Sequence, residues 1–119
     1  MLNLNIEQYG ALKLDHKLAI YVPGTNGVDQ EADNTEQVKK VAAIFSELFG
    51  GATATEASGF WQSETAGLVK EHVTIVYSNC TEEQARENIG KVLELAQGLK
   101  ISMKQEAISI MADEVLYII

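Results

Sequence analysis

Two apolar stripes at helical spacing frame a stretch of strand-like sequence, and this arrangement limits the possible folds more than any other feature. Val38, Val41, Ala42, Phe45, Leu48 and Phe49 form the first stripe. A helix with one apolar stripe has to bury it against another element. Asp33 and Glu36 stand ahead of it with the spacing of an N-cap and N3 pair. Gly50-Gly51 closes it, because glycine takes the left-handed C-cap conformation at little cost. Behind a second capping pair, Thr81 and Gln84, the residues Ala85, Ile89, Val92, Leu93 and Ala96 trace the second stripe, and Gly98 stands near its end. Helices are predicted over residues 34–49 and 82–97.

The segments around these helices alternate with period two, the pattern of a strand with one buried face. Leu12, Leu14, Leu18, Ile20 and Val22 occupy even positions, and the single proline, Pro23, can end that strand. Leu2, Leu4 and Ile6 alternate in the same way and suggest a short additional strand. Residues 52–62 read as a strand bulged at Ser58-Gly59, a polar turn follows at Ser63–Gly67, and residues 68–77 form a strong strand. Val69, Glu71, Val73, Ile75 and Tyr77 share its odd face. After the second helix, Ile108 and Ile110 begin another alternation, with a tight turn at Ala112-Asp113 before a last strand over 114–118.

The order strand, helix, strand, strand, helix, strand is that of a ferredoxin-like βαββαβ fold of the α+β class. Two helices would lie on one face of an antiparallel sheet, with an additional C-terminal hairpin. One domain over residues 1–119 is expected. The face away from the helices should carry Tyr21, Val76 and either Trp61 or Phe60, together with Lys13, Lys17, Lys70 and His72. Its apolar part would gain from burial against a second copy, so a homodimer is expected.

Hydrophobic residues make up 46% of the chain and charged residues 22%, which excludes a disordered or fibrous chain. No unbroken apolar run exceeds five residues, as at Val115–Ile119, so no membrane-spanning segment is expected. The net charge of −8, with one arginine (Arg86) and one adjacent basic pair (Lys39-Lys40), argues against direct nucleic-acid binding. The single cysteine, Cys80, cannot form an internal disulfide and completes no zinc set. Residues 1–10 lack the features of a secretory signal, which makes the cytoplasm the expected location.

Ala19-Ile20-Tyr21-Val22-Pro23-Gly24, Phe49-Gly50-Gly51-Ala52-Thr53, Gly59-Phe60-Trp61, Gly67 and Glu71 together follow a pattern. An aliphatic strand ends in Pro-Gly, then come a helix, a Gly-Gly-x-Thr strand, a Gly-x-Trp element and a Glu opening the third strand. In this the chain resembles a family of small uncharacterised bacterial domains of ferredoxin-like type, over roughly residues 18–80. Many such relatives look exported, and the present sequence departs from them in lacking a signal. The resemblance implies no activity. Chains of this size also resemble cargo of phages and plasmids, which implies an accessory or inhibitor role.

Glu71 is the candidate catalytic residue. A carboxylate sharing a face with Val69, Val73 and Ile75 would be desolvated unless paired, which is the setting of a general acid or base. The bland alternative puts it at the strand's end, reaching water or Lys17. Tyr21, Trp61, His72 and Tyr77 are the candidate binding residues, since amphipathic aromatics suit ligand sites and interfaces. His72 points away from Glu71 and is equally at home on an exposed face. His16 and His72 share no ligand spacing with each other or with the carboxylates, so no metal is expected. Asp29, Glu31 and Asp33 alternate like the start of a calcium loop, but Asn34 replaces the required glycine and Lys40 the final glutamate. Gly24-Thr25-Asn26-Gly27 lacks the Gly-Lys-Ser/Thr of a phosphate loop. Cys80 precedes a helix N-terminus, which lowers a thiol pKa, without a histidine to make it a nucleophile.

No complete catalytic set or cofactor motif is present. The main expectation is therefore a non-enzymatic interaction protein, dimeric and acting on a protein partner as a mobile-element accessory or inhibitor. The alternative is a small enzyme or ligand-binding protein of the ferredoxin-like barrel type, with a pocket between helices and sheet, Glu71 as acid/base, and Tyr21 or Tyr77 with Trp61 shaping the pocket. A buried, ligand-sized apolar cavity reaching Glu71 would favour the alternative, and a filled core would favour the interaction protein.

Overall fold

The computed structural model describes residues 2–27 and 30–119. In chain order these form β1 (His16–Pro23), β2 (Thr25–Asn26), β3 (Gln30–Glu31), α1 (Thr35–Phe49), β4 (Thr53–Ser63), β5 (Gly67–Cys80), α2 (Glu82–Ser102), β6 (Ser109–Ala112) and β7 (Val115–Ile118). The main sheet is antiparallel throughout, in the order β4-β5-β1-β6-β7. Its first four strands, with the two helices, are the expected ferredoxin-like arrangement, and β7 adds the expected hairpin.

The core lies between the helices and the even-numbered side of the sheet. Leu18, Ile20 and Val22 of β1, Val76 and Cys80 of β5 and Ile110 of β6 are buried there. They pack against Val41, Phe45 and Phe49 of α1 and Val92, Leu95, Ala96 and Leu99 of α2. Facing residues of paired strands share a side of the sheet. Ile20 faces Val76, so Val76 belongs to the core and not to the open side expected for it. Tyr21 faces Ile75 in the next rung, which puts the odd residues of β5 on the open side. Glu71 therefore belongs to the uncovered face, and Lys70, His72 and Phe60 project on the helix side. The apolar character of Val73, Ile75 and Tyr77 conceals this parity, because the core row opposite them contains the polar Thr74 and Ser78.

Phe45 is fully buried, as its stripe predicts, whereas Leu93 is 38% exposed. The buried row of α2 runs through Val92, Leu95, Ala96 and Leu99, one position off the expected contact. The Thr81–Gln84 capping box is complete, with each backbone N–H donating to the other residue's side chain. At α1 the N-cap is Asn34, whose side chain donates to Thr74 Oγ1 and to the Pro23 carbonyl. Asp33 accepts from the Thr35 backbone N–H and hydroxyl and so explains part of the acidic run. Asp29 of that run lies outside the described residues.

Helix α2 continues past Gly98 to Ser102 and ends in a Schellman motif. Lys104 takes the left-handed conformation with φ of 55° and donates its N–H to the Ile101 carbonyl. The Gln105 N–H reaches back 2.9 Å to the Lys100 carbonyl. Lysine in that conformation gives no sequence signal, which is why the predicted helix ends short.

Among the described residues, 2–15 hold only a short 3-10 helix at Glu7–Tyr9, and Leu2, Leu4 and Ile6 pair with no strand. The stretch after Pro23 carries the small β2–β3 ribbon, with Thr25 opposite Glu31. The β4–β5 register runs unbroken from Thr53–Tyr77 to Ser63–Gly67, without the bulge expected at Ser58-Gly59. Ser63 Oγ accepts from the N–H groups of Thr65 and Ala66, and Gly67 closes the loop at φ of 74°.

Candidate functional site

A cleft crosses the open face beside Glu71. One part, of about 340 Å³, is lined by Tyr21, Ala57, Gly59, Val73, Ile75 and Ser109. The adjoining part, of about 240 Å³, is lined by Gly27, Trp61, Glu106 and their neighbours. Glu71, Gln105 and Ala107 border both parts. Together they fall in the size range of small-ligand sites.

Three features build the cleft. The β4–β5 register puts Gly59 opposite Glu71 and Trp61 opposite Val69, so all four share the open face. Gly59 leaves the floor bare: a Cβ there would stand 3.5 Å from Glu71 Cγ. The Schellman end of α2 then turns the chain so that Gln105 and Glu106 form the far wall. Gln105 Nε2 is 3.0 Å from the Thr25 carbonyl and 3.2 Å from that of Gly27, which ties β2 and the residue after it to this wall.

Of the expected site residues, Glu71, Tyr21 and Trp61 meet at this cleft. Glu71 is half-buried on the open side and not set in the core, so its surroundings differ from the desolvated setting expected for it. Tyr77 shares the face but lies farther along β5, where the Lys17 ammonium sits 4.4 Å over its ring. That contact also accounts for Lys17, which the sequence offered as a partner for Glu71. His72 borders the cleft and a shallow depression behind it, with Gly24, Glu31 and Asp33. Its Nε2 is 4.0 Å from Glu56, and its carbonyl accepts from Gly24 N–H at 2.9 Å. Its place is thus mainly architectural. Sequence reasoning missed Gln105 and Glu106, because their position depends on a helix end that no motif marks.

Cys80 is buried in the core, and burial pushes its thiol pKa up. The desolvation outweighs its position before α2 and disfavours the thiolate. A second polar cluster joins β1 to the β6–β7 turn. His16 Nδ1 lies 3.0 Å from Asp113 Oδ2, and Lys17 N–H donates to Asp113 Oδ1. The hydrogen bond to Asp113 raises the His16 pKa, aided by the charges of Asp113, Asp15 and Glu82. The same bond, with that from Lys17 N–H, lowers the pKa of Asp113. Among the described residues, no three His, Cys, Asp or Glu side chains group as metal ligands. None of the described helices is long and apolar enough to cross a membrane.

No family model matches the sequence, and no curated protein matches it. Two solved structures share the fold. A phage SAM lyase in complex with S-methyl-5′-thioadenosine aligns with a TM-score of 0.64 and 21% identity, over 87% of this chain and 88% of that one. A phage SAM lyase in the apo state aligns with a TM-score of 0.60 and 22% identity, over 87% of each chain. Both neighbours are enzymes that share nearly the whole fold, and this overturns the expectation of a non-enzymatic interaction protein or inhibitor. Glu71 and its cleft lie on the uncovered face, not between helices and sheet, where the small-enzyme alternative placed its pocket.

Proposed function

We propose that this chain is a small lyase that cleaves a cationic sulfonium nucleoside of the SAM (S-adenosylmethionine) class. The observation that carries the reading is the cleft bordered by two carboxylates, Glu71 and Glu106, with Trp61 between strand and loop. SAM carries a permanent sulfonium charge and an α-ammonium. Opposite charges about 4 Å apart gain roughly 1 kcal/mol in water and 4 near a protein surface. Trp61 and Tyr21 offer faces for a nucleobase or for the sulfonium itself.

The products follow from atom balance. S-methyl-5′-thioadenosine keeps the methyl and adenosyl groups on sulfur, so the bond that breaks joins sulfur to Cγ of the amino-acid arm. Its electron pair passes to sulfur and neutralises it. The substrate's own carboxylate can close on Cγ to give a five-membered lactone, with no water, cofactor or proton transfer. Holding the arm folded supplies the advantage of an intramolecular attack. Glu71 then acts as a charge, pairing with the α-ammonium and leaving the substrate carboxylate free to attack. The reaction belongs in the cytoplasm, the location expected from the sequence.

Calorimetric titration tests the binding step. Wild type should bind both SAM and the neutral S-methyl-5′-thioadenosine. Glu71→Gln should weaken SAM by about tenfold or more and leave the neutral nucleoside nearly unchanged. Absence of binding to wild type, or equal weakening of both ligands, would contradict the reading.

The homodimer is carried as part of the same proposal. Leu116 and Ile118 of β7 are 46% and 68% exposed, and Leu2 and Leu4 of the N-terminal segment are 82% and 63% exposed. Burial of such groups by a second copy would be favourable. Light scattering at micromolar concentration should give about twice 13.0 kDa, and a mass of one chain would refute it.

A further inference from the structure

The cleft walls belong to three separate segments. Glu71 and Trp61 stand on the sheet, Gly27 on the β2–β3 ribbon, and Glu106 and Ala107 on the α2–β6 connection. A ribbon of two-residue strands and a connection, both outside the main sheet and the helices, move independently unless something joins them. Here one side chain joins them. The Gln105 carboxamide nitrogen lies 3.0 Å from the Thr25 carbonyl, 3.2 Å from the Gly27 carbonyl and 3.0 Å from the Met103 carbonyl. Its two protons are shared among three backbone acceptors that would otherwise face each other across the junction. Gly27 N–H adds a bond to the Met103 carbonyl at 2.9 Å. Gln105 itself is held by the helix end, since its N–H belongs to the Schellman motif.

We propose that Gln105 is a positioning residue: its carboxamide staples the Thr25–Gly27 turn to the α2–β6 connection and so fixes the wall that presents Glu106 across from Glu71. The consequence for the site rests on the lyase reading, while the staple itself does not. Only the glutamine amide serves here, because an acid at this position would set a carboxylate against three carbonyl oxygens. Methionine would keep the shape and remove the donors.

Amide exchange and kinetics together test this. In wild type the Gln105 side-chain amide protons should exchange slowly, and fast exchange would overturn the staple without any variant. In Gln105→Met, exchange at the Gly27 amide should rise about tenfold or more, the loss expected for a backbone bond left without its brace. KM for SAM should rise about fivefold, with kcat within about twofold and the melting curve nearly unchanged. Gln105→Glu should show the same split, larger. A purely structural role would lower the melting temperature and the active fraction while leaving KM as it was, which would refute positioning. If wild type neither binds nor cleaves SAM, the lyase reading fails, and the exchange data alone then decide the staple.

Discussion

Gly59 stands directly across the β4–β5 ladder from Glu71, and a Cβ on it would lie 3.5 Å from Glu71 Cγ and 3.7 Å from Oε1. The missing side chain keeps the cleft floor open under the carboxylate. Gly59→Val should fold as well as wild type, because β-branched residues suit strands. It should weaken binding of S-methyl-5′-thioadenosine by about tenfold, since a branched side chain now occupies the cleft. Unchanged affinity would place the ligand elsewhere.

Gly24 is required by close approach rather than by turn geometry. A Cβ there would lie 2.6 Å from the His72 carbonyl oxygen, a backbone atom that cannot swing away. Gly24→Ala should destabilise the fold by about 1–3 kcal/mol, seen as a lower urea midpoint at constant m-value. A midpoint equal to wild type would show that the two strands can separate at no cost.

The His16–Asp113 pair predicts a pH profile for stability. The His16 pKa is raised, so its contribution is fully present below the ordinary histidine value near 6.5 and fades as pH rises through the folded value. The Asp113 pKa is lowered, so its contribution is present above the ordinary aspartate value and fades only as pH falls through the lower folded one. The pair should stabilise most between these limits, in mildly acidic solution. His16→Ala should flatten the change in unfolding free energy between about pH 5 and 8. An unaltered slope in that variant would mean that another group titrates.

Phe45 and Leu93 separate the core from the look of the sequence. Phe45 is fully buried and packs edge-on against Phe49 at 5.5 Å between ring centroids. Its truncation to alanine should cost about 3–5 kcal/mol. Leu93→Ala should cost less than about 1 kcal/mol, because that side chain faces solvent. Equal losses in denaturant titrations would contradict the assigned face of α2.

The contrast shows what the sequence makes legible. Elements with strong local signals, the α1 stripe closed by Gly50 and the Thr81–Gln84 box, stand where the periodicity puts them. The sheet face of Glu71 was harder to read. Strand parity is set by which neighbours pair, and Thr74 and Ser78 disguise the buried row of β5. Tyr21, Trp61 and Glu71 meet at one cleft, and each stands out in the sequence as an aromatic or as a carboxylate on an apolar face. Gln105 and Glu106 reach the cleft only because Lys104 takes a left-handed turn, a backbone event that leaves no mark on residue type. The same absence of a motif led to the expectation of a protein without catalysis. A reaction in which the substrate supplies its own nucleophile asks the protein for charge and shape, and these need not be arranged as a triad or a metal set.

Mass spectrometry of the purified chain incubated with SAM decides whether the Glu71 cleft cleaves a sulfonium nucleoside. S-methyl-5′-thioadenosine should form together with a four-carbon amino lactone, without added metal or cofactor. Glu71→Gln should lower kcat/KM by about tenfold or more, in step with its loss of affinity for SAM. SAM that decays no faster than in buffer, or a Glu71→Gln variant that turns over like wild type, would contradict the lyase reading.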